Sequence, residues 1–141
     1  MRTHGLTIPF TASPWEEISR FLEGMALRFP EFGHMAAVAR SVPASGMAAQ
    51  LAGTTSMHDL IVVAVPVPEP PYDVIAVRAP GSLYPPRAGH VLIEHLSCTG
   101  RNDRIERPVS EAVPLFWRFV AVKYGTGPPA RPGQATPPAT T

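Results

Sequence analysis

Two histidines, a glutamate and a cysteine lie close together in the chain: His90, Glu94, His95 and Cys98. These are side-chain types that bind zinc. The same segment is rich in β-branched residues, so we predict a strand, in which successive side chains point to opposite faces. His95 would then face away from both His90 and Cys98. The spacing therefore predicts no metal site, and it gives no reason to expect a cofactor.

Cys98 is also the only thiol available for nucleophilic catalysis, with His95 or His58 as its base. A lone cysteine at the end of a strand is more often a small buried hydrophobic side chain than a nucleophile. The chain has no Gly-x-Ser-x-Gly elbow and no Gly-x-x-x-x-Gly-Lys phosphate loop. We therefore name no catalytic residue, and the sequence favours a protein that is not an enzyme.

The densest charge in the chain lies at 101–107, where three arginines are interspersed with acidic residues. Guanidinium groups can bind phosphate or carboxylate through two hydrogen bonds. The candidate anion ligands are therefore Arg101, Arg104 and Arg107, and His95 would complete such a site. The neighbouring acidic residues favour a solvated turn that neutralises its own charge. The formal net charge of +1 and the lack of stacking aromatics beside the turn argue against nucleic-acid binding.

The most apolar predicted helix covers about residues 111–124. Arg118 and Lys123 are its clear polar residues, and nearly all the others are apolar. Such a helix is either buried in the core or covered by a partner. Exposed aromatic surface is typical of protein interaction sites. The candidate partner-binding residues are Phe116, Trp117 and Phe119.

Proline separates the strands that would hold these groups in place. Runs at 59–65, 73–79 and 90–98 have the composition of strands, and 104–109 is predicted as a fourth, short edge strand. Seven residues, four of them proline, join the first two runs. This link is too short for the helical crossover of a parallel pair, so we predict an antiparallel sheet.

Two helices are predicted before the strands. The first begins with Ser13 as its cap and Pro14 as its first helical residue. The second covers about 32–42 and ends at Pro43, with one further helical turn at 47–51. The fold class is therefore α+β: two N-terminal helices, a three- to four-stranded, mainly antiparallel sheet, and a C-terminal apolar helix packed on the sheet.

The 141 residues, 45% apolar and 16% charged, predict one globular domain at 1–125. Residues 126–141 are rich in Pro, Ala and Thr and are predicted to be a disordered tail. Alternating apolar residues at 6–10 suggest a short edge strand, and 53–57 are predicted to be a loop.

A cytoplasmic bacterial protein is expected. The single cysteine excludes an intrachain disulfide, and no apolar run approaches the roughly 20 residues of a membrane helix. Lys123 is the only lysine beside 11 arginines, a bias typical of high-GC bacterial genomes. The order of elements loosely resembles small adaptor, immunity and chaperone-like domains.

We therefore expect a non-enzymatic module that binds a protein partner or a second copy of itself, without membrane or nucleic acid. The alternative is a small enzyme or anion-binding domain that uses the turn at 101–107 with His95.

Overall fold

A five-stranded antiparallel sheet and three helices form the fold in the computed structural model, which describes residues 7–126. Each strand pairs with the next one along the chain. The helices are α1 Trp15–Arg28, α2 Gly33–Ala44 and α3 Ala112–Tyr124. The strands are β1 Leu51–Ser56, β2 Asp59–Ala64, β3 Val74–Arg78, β4 His90–Leu96 and β5 Asp103–Pro108. The α+β class is confirmed, and the sheet has five strands where three to four were predicted.

The additional strand is β1, which the sequence analysis divided wrongly between a helical turn and a loop. It pairs along its whole length with β2. The two strands are joined at Met57 and His58, which have φ angles of 50° and 74°. Hairpin turns with two positive φ angles usually contain Asn or Gly. Because β1 has no clear apolar alternation and its turn has neither residue, its sequence lacks the usual signals of a hairpin.

The first helix is fixed to β1 by Trp15. Its indole N–H donates a hydrogen bond of 2.9 Å to the carbonyl of Leu51, and its ring lies against Gly53. The backbone N–H of Ser13 donates to the carbonyl of Gly53. The Ser13 side chain does not cap the helix as predicted: Pro14 occupies the N-cap position, and the helix begins at Trp15.

All three helices pack on one face of the sheet. The strands contribute Leu60, Val62, Ile75, Val77, Val91 and Ile93 to this core, and the helices contribute Ile18, Leu22, Met35, Val38, Leu115 and Phe116. The predicted contact between the C-terminal helix and the sheet is confirmed. Gly125, with a φ angle of 69°, ends α3 as predicted.

Within residues 7–126, no helix packs on the opposite face of the sheet, called here the open face. Phe10 packs on its apolar residues, and the Tyr72 hydroxyl donates to the carbonyl of Ile8. Residues 7–12 therefore cross this face without forming a strand. The edge strand predicted at 6–10 is wrong over the described residues 7–10, because this segment is held by side-chain contacts and not by a ladder. Residue 6 lies outside the described part.

The end of α2 and the turn before β1 differ from the predictions in smaller ways. Pro43 lies inside the last turn of α2, which continues to Ala44. Residues 47–50 form a turn, and the chain enters β1 directly after it. The predicted disordered tail lies outside the described residues, except for Thr126. Within the described part, no helix is long and apolar enough to span a membrane.

Candidate functional site

The structure brings His95 and Cys98 together, although the sequence analysis placed them on opposite faces. The alternation stops because β4 ends at Leu96, and the chain then turns. Asp73 lies between the two side chains. Its Oδ1 accepts a 2.8 Å hydrogen bond from the backbone N–H of Cys98, and its Oδ2 lies 3.7 Å from Nε2 of His95.

The electrostatics of this group oppose thiol catalysis. The hydrogen bond from the Cys98 thiol to Asp73, together with burial and the carboxylate charge, raises the pKa of the thiol. Burial lowers the pKa of His95 more than the charge of Asp73 raises it, which favours the neutral imidazole. Reactive cysteines have a lowered pKa, so Cys98 lacks the property that a nucleophile needs.

His90 lies apart from this group, at the start of β4. Its Nδ1 is 3.1 Å from the carbonyl oxygen of Ala88. Across residues 7–126, no three His, Cys, Asp or Glu side chains are grouped so that they could hold a metal ion. The zinc-type residues of the sequence are therefore not gathered into one site in the described part of the chain.

The three arginines of the charged segment do not converge. All three are exposed: Arg101 precedes β5, while Arg104 and Arg107 lie within it. Residues three apart in a strand point to opposite faces. His95 is buried on the helix face, where its ring contacts Tyr124 edge-on at 6.5 Å. An anion site that uses these arginines with His95 therefore has no common pocket here.

The aromatic residues of α3 lie mostly inside the molecule. Phe116 and Phe119 are buried, and half-buried Trp117 donates a 3.0 Å hydrogen bond from its indole N–H to the Ser41 hydroxyl. Partner binding through these three residues stays a prediction. The exposed side of the helix is formed instead by residues such as Arg118 and Val122, and the Val122 side chain is 75% exposed.

A groove of about 200 Å³ runs between β5 and this side of α3. We call it the β5–α3 groove. Its apolar lining consists of Ile105, Leu115, Phe119 and Val122, and its polar lining of Asp103, Arg104, Arg118 and Lys123. A salt bridge joins Lys123 to Asp103, and the hydrogen bond within this pair lowers the pKa of Asp103.

The groove lies beside an edge of the sheet that is open among residues 7–126, since β5 is the last strand of the described part. The backbone N–H of Val109 donates a hydrogen bond to the carbonyl of Gly89, so the backbone of Val109 faces the chain that enters β4. The preceding residue, Pro108, pairs with His90 and has no N–H to donate. Backbone groups alternate in direction along an antiparallel strand. The N–H and C=O groups of Arg104 and Glu106 therefore point away from β4, towards the open edge.

A second cavity, of about 380 Å³, lies on the open face. At one end is a buried ion network that the sequence analysis missed. Nε of Arg78 donates to Glu94 at 2.7 Å, and Nη1 donates to Asp59 at 2.9 Å. Burial opposes the charge of Arg78, but the hydrogen bonds and charges of both carboxylates outweigh it and raise the pKa of Arg78.

One signal of this network was present in the sequence. Glu94 interrupts an otherwise apolar strand, and a buried carboxylate needs a charged or hydrogen-bonding partner. Asp59 and Arg78, at the ends of two other apolar runs, supply the rest of the network. Their pairing depends on strand register, which the sequence alone does not give.

Comparison with known proteins leaves the function to be argued from geometry. No protein-family model matches the chain, and searches of curated proteins and of solved structures gave no significant match.

Proposed function

We propose that this protein is a non-enzymatic, cytoplasmic interaction module that binds an extended acidic segment of a protein partner along β5. The observation that carries the proposal is the β5–α3 groove, an apolar surface beside an open sheet edge with exposed arginines around it. Adaptor, immunity and chaperone-like proteins are classes in which such a module would work.

The backbone supports strand addition. Extended peptides bind exposed sheet edges through main-chain hydrogen bonds, and their alternate side chains enter pockets on one face. Arg104 and Glu106 offer such hydrogen-bonding groups at the β5 edge. A strand added there would direct every second side chain to the face that carries α3.

The apolar lining supports binding on that face. Leu115 and Phe119 form the buried base of the groove, and Val122 stands at its margin with three quarters of its surface exposed. Half-buried Ile105 lies on the β5 side. Apolar side chains of an added strand would cover Val122 and Ile105, and removal of this surface from water is favourable by roughly 25 cal/mol per Å².

The charge favours an acidic partner. Arg118 lines the groove from α3, and Arg104 borders it from β5 with its side chain directed to the open face, like that of its register partner Glu94. Neither arginine appears in the salt bridges among residues 7–126. Arg101 and Arg107 are also exposed along the same segment. Lys123 and Asp103 largely neutralise each other. Complementary charge mainly determines specificity and association rate, so it selects the partner and the apolar surface holds it.

Fluorescence anisotropy with two labelled octapeptides tests this function. One alternates valine with glutamate, and the other alternates valine with lysine. We expect the acidic peptide to bind at least tenfold more tightly, and Val122→Glu to abolish its binding through lost apolar contact and charge repulsion. Leu27→Glu is the matched control, because Leu27 is an exposed aliphatic residue of α1. Equal affinity for both peptides, or equal effects of both variants, would contradict the proposal.

A further inference from the structure

The outer strand β5 has an order of charges that is complementary to itself. From Asp103 to Arg107 the residues are in turn acidic, basic, apolar, acidic and basic, with Ile105 at the centre. If two copies of this segment run antiparallel about Ile105, each acidic residue lies opposite an arginine. The segment has no net charge, so it does not repel a second copy as a whole.

The backbone of the edge, open among residues 7–126, permits this register. The N–H and C=O groups of Arg104 and Glu106 point away from β4, whereas those of Ile105 point towards it. Residue pairs that exchange both hydrogen bonds alternate with pairs that exchange none in an antiparallel ladder. Arg104 of one copy and Glu106 of the other would therefore exchange hydrogen bonds, and the two Ile105 residues would face each other on a two-fold axis.

The opposed side chains also lie on matching faces of the sheet. Ile105 pairs with Ile93, which belongs to the core under the helices. Side chains alternate along a strand, so Asp103 and Arg107 share that face with Ile105, whereas the two residues between them project to the open face. Residues directly opposite in an antiparallel pair project to the same face. Each arginine therefore meets an acidic side chain on its own face.

Neighbouring registers lack this complementarity. A shift of two residues in one direction would place Arg104 opposite its own copy, and a shift in the other direction would do the same for Glu106. Like charges directly opposite each other in a sheet are destabilising. A shift of one residue would leave the outward backbone groups without partners. The charges and the backbone therefore favour the same register.

The charged groups can reach a second copy although some of them have contacts within the chain. Arg104 is exposed and forms none of the salt bridges among residues 7–126. Both hydrogen bonds that the Glu106 side chain accepts in that part of the chain come from Arg87 and end on Oε2, which leaves Oε1 for an arginine of the second copy. Lys123 likewise contacts Asp103 through Oδ2.

We propose that β5 pairs with β5 of a second copy of this chain, antiparallel and centred on Ile105, so that the two sheets become continuous. The pairing uses the same edge as the proposed function, and its regulatory role rests on that function: a second copy and an acidic partner segment exclude each other. Self-pairing covers an edge that would otherwise join with other chains. The strand is short and its charges are exposed, so the dimer is weak and dissociates at low micromolar concentration.

Sedimentation of the full chain over a range of concentrations tests the pairing. Arg104→Glu opposes carboxylates and Glu106→Arg opposes guanidinium groups, so each variant alone should weaken the dimer roughly tenfold or more. An equimolar mixture of the two variants restores opposite charges and should form a heterodimer as tightly as the wild type. Arg28→Glu makes the same change on exposed α1 and should have no effect. A chain that stays monomeric at millimolar concentration, single variants that dimerise normally, or a mixture that does not associate would overturn the proposal.

Crosslinking tests the register in a Cys98→Ser background. Ile105→Cys should form an intermolecular disulfide on mild oxidation, because opposed residues that exchange no hydrogen bonds have Cα atoms about 4.5 Å apart. Arg107→Cys is the control, since position 107 would lie about 13 Å from its copy at 3.3 Å per residue. A crosslink that forms more readily at 107 than at 105 would contradict this register.

Peptide binding separates this proposal from the proposed function. Glu106→Arg should break the dimer and still bind the alternating valine–glutamate peptide at least as tightly as the wild type, because it adds positive charge to the edge. Saturating peptide should convert the wild-type dimer to single copies, and a dimer that persists would contradict exclusion at the edge. A dimer that binds no peptide would contradict the proposed function alone. Peptide binding by a chain that never dimerises would contradict self-pairing alone.

Discussion

Trp15 lies so close to Gly53 that a Cβ atom at position 53 would be 2.6 Å from Cη2 of its indole ring. The ring cannot move away freely, because its N–H is bonded to Leu51 and its other contacts are in the core. We expect Gly53→Ala to lower the free energy of unfolding by about 1–3 kcal/mol through overpacking. Urea unfolding measures this change.

Gly24 provides the matched control in the same region. It lies inside α1, and a Cβ atom there would meet nothing within 4 Å. Gly24→Ala should therefore raise the free energy of unfolding by about 0.5–1 kcal/mol, since alanine favours the helix. Similar losses in the two variants would mean that Trp15 does not require glycine at position 53.

Arg78 should be far more important for stability than an arginine in an exposed ion pair. Arg78→Met leaves two buried carboxylates without the guanidinium between them, and we expect a loss of about 3–5 kcal/mol. Arg40→Met removes the partner of half-exposed Glu23 and should cost less than about 1 kcal/mol. Comparable losses on chemical denaturation would show that the network on the open face is not desolvated.

Two histidines should make the protein less stable as the pH falls below neutrality. Burial lowers the pKa of His34 and of His95 from 6.5, despite the opposing effects of Glu31 on the first and of Asp73 on the second. The unfolded chain therefore binds protons that the folded chain resists, and stability present above pH 6.5 is lost as the pH falls through it.

Unfolding measured between pH 8 and about pH 5 would show this dependence. Each of His34→Gln and His95→Gln should reduce the slope in this range, and the double variant should reduce it most. Stability that rises as the pH falls would contradict burial of neutral imidazoles.

Cys98 should react slowly with a disulfide reagent such as DTNB, because its pKa is raised and the thiolate is the reacting form. Asp73→Asn removes the carboxylate that accepts the thiol proton and should therefore increase the rate at pH 8. Stopped-flow rates across pH, with unfolded protein as the reference, would measure both effects. A folded chain that reacts faster than the unfolded one would point to an activated thiol and against a non-enzymatic role.

Much of this architecture was predictable because its signals are local. Proline placement and β-branched runs gave the central antiparallel strands, and Gly125 marked the end of α3. The hairpin strand β1 was missed because Trp15, distant in sequence, stabilises it against a glycine. Tertiary contacts of this kind override local propensity.

The side chains that come together in space were less predictable from the sequence than the helices and strands. The alternation of side chains along a strand separated His95 from Cys98 only on the assumption that the strand continues to Cys98. In the structure, β4 ends at Leu96, two residues before Cys98. The network of Asp59, Arg78 and Glu94 depends on register across three strands. Register is a property of the paired sheet, so no single segment reveals it.

Hydrogen exchange at the β5 edge tests the proposed function most directly. If a partner segment adds as a strand, the amide protons of Arg104 and Glu106 become hydrogen-bonded, whereas that of Ile105 already faces β4. With the alternating valine–glutamate peptide at saturation, we expect exchange at Arg104 and Glu106 to slow at least tenfold and exchange at Ile105 to change little. Unchanged exchange at Arg104 and Glu106 while the peptide is bound would contradict strand addition along β5.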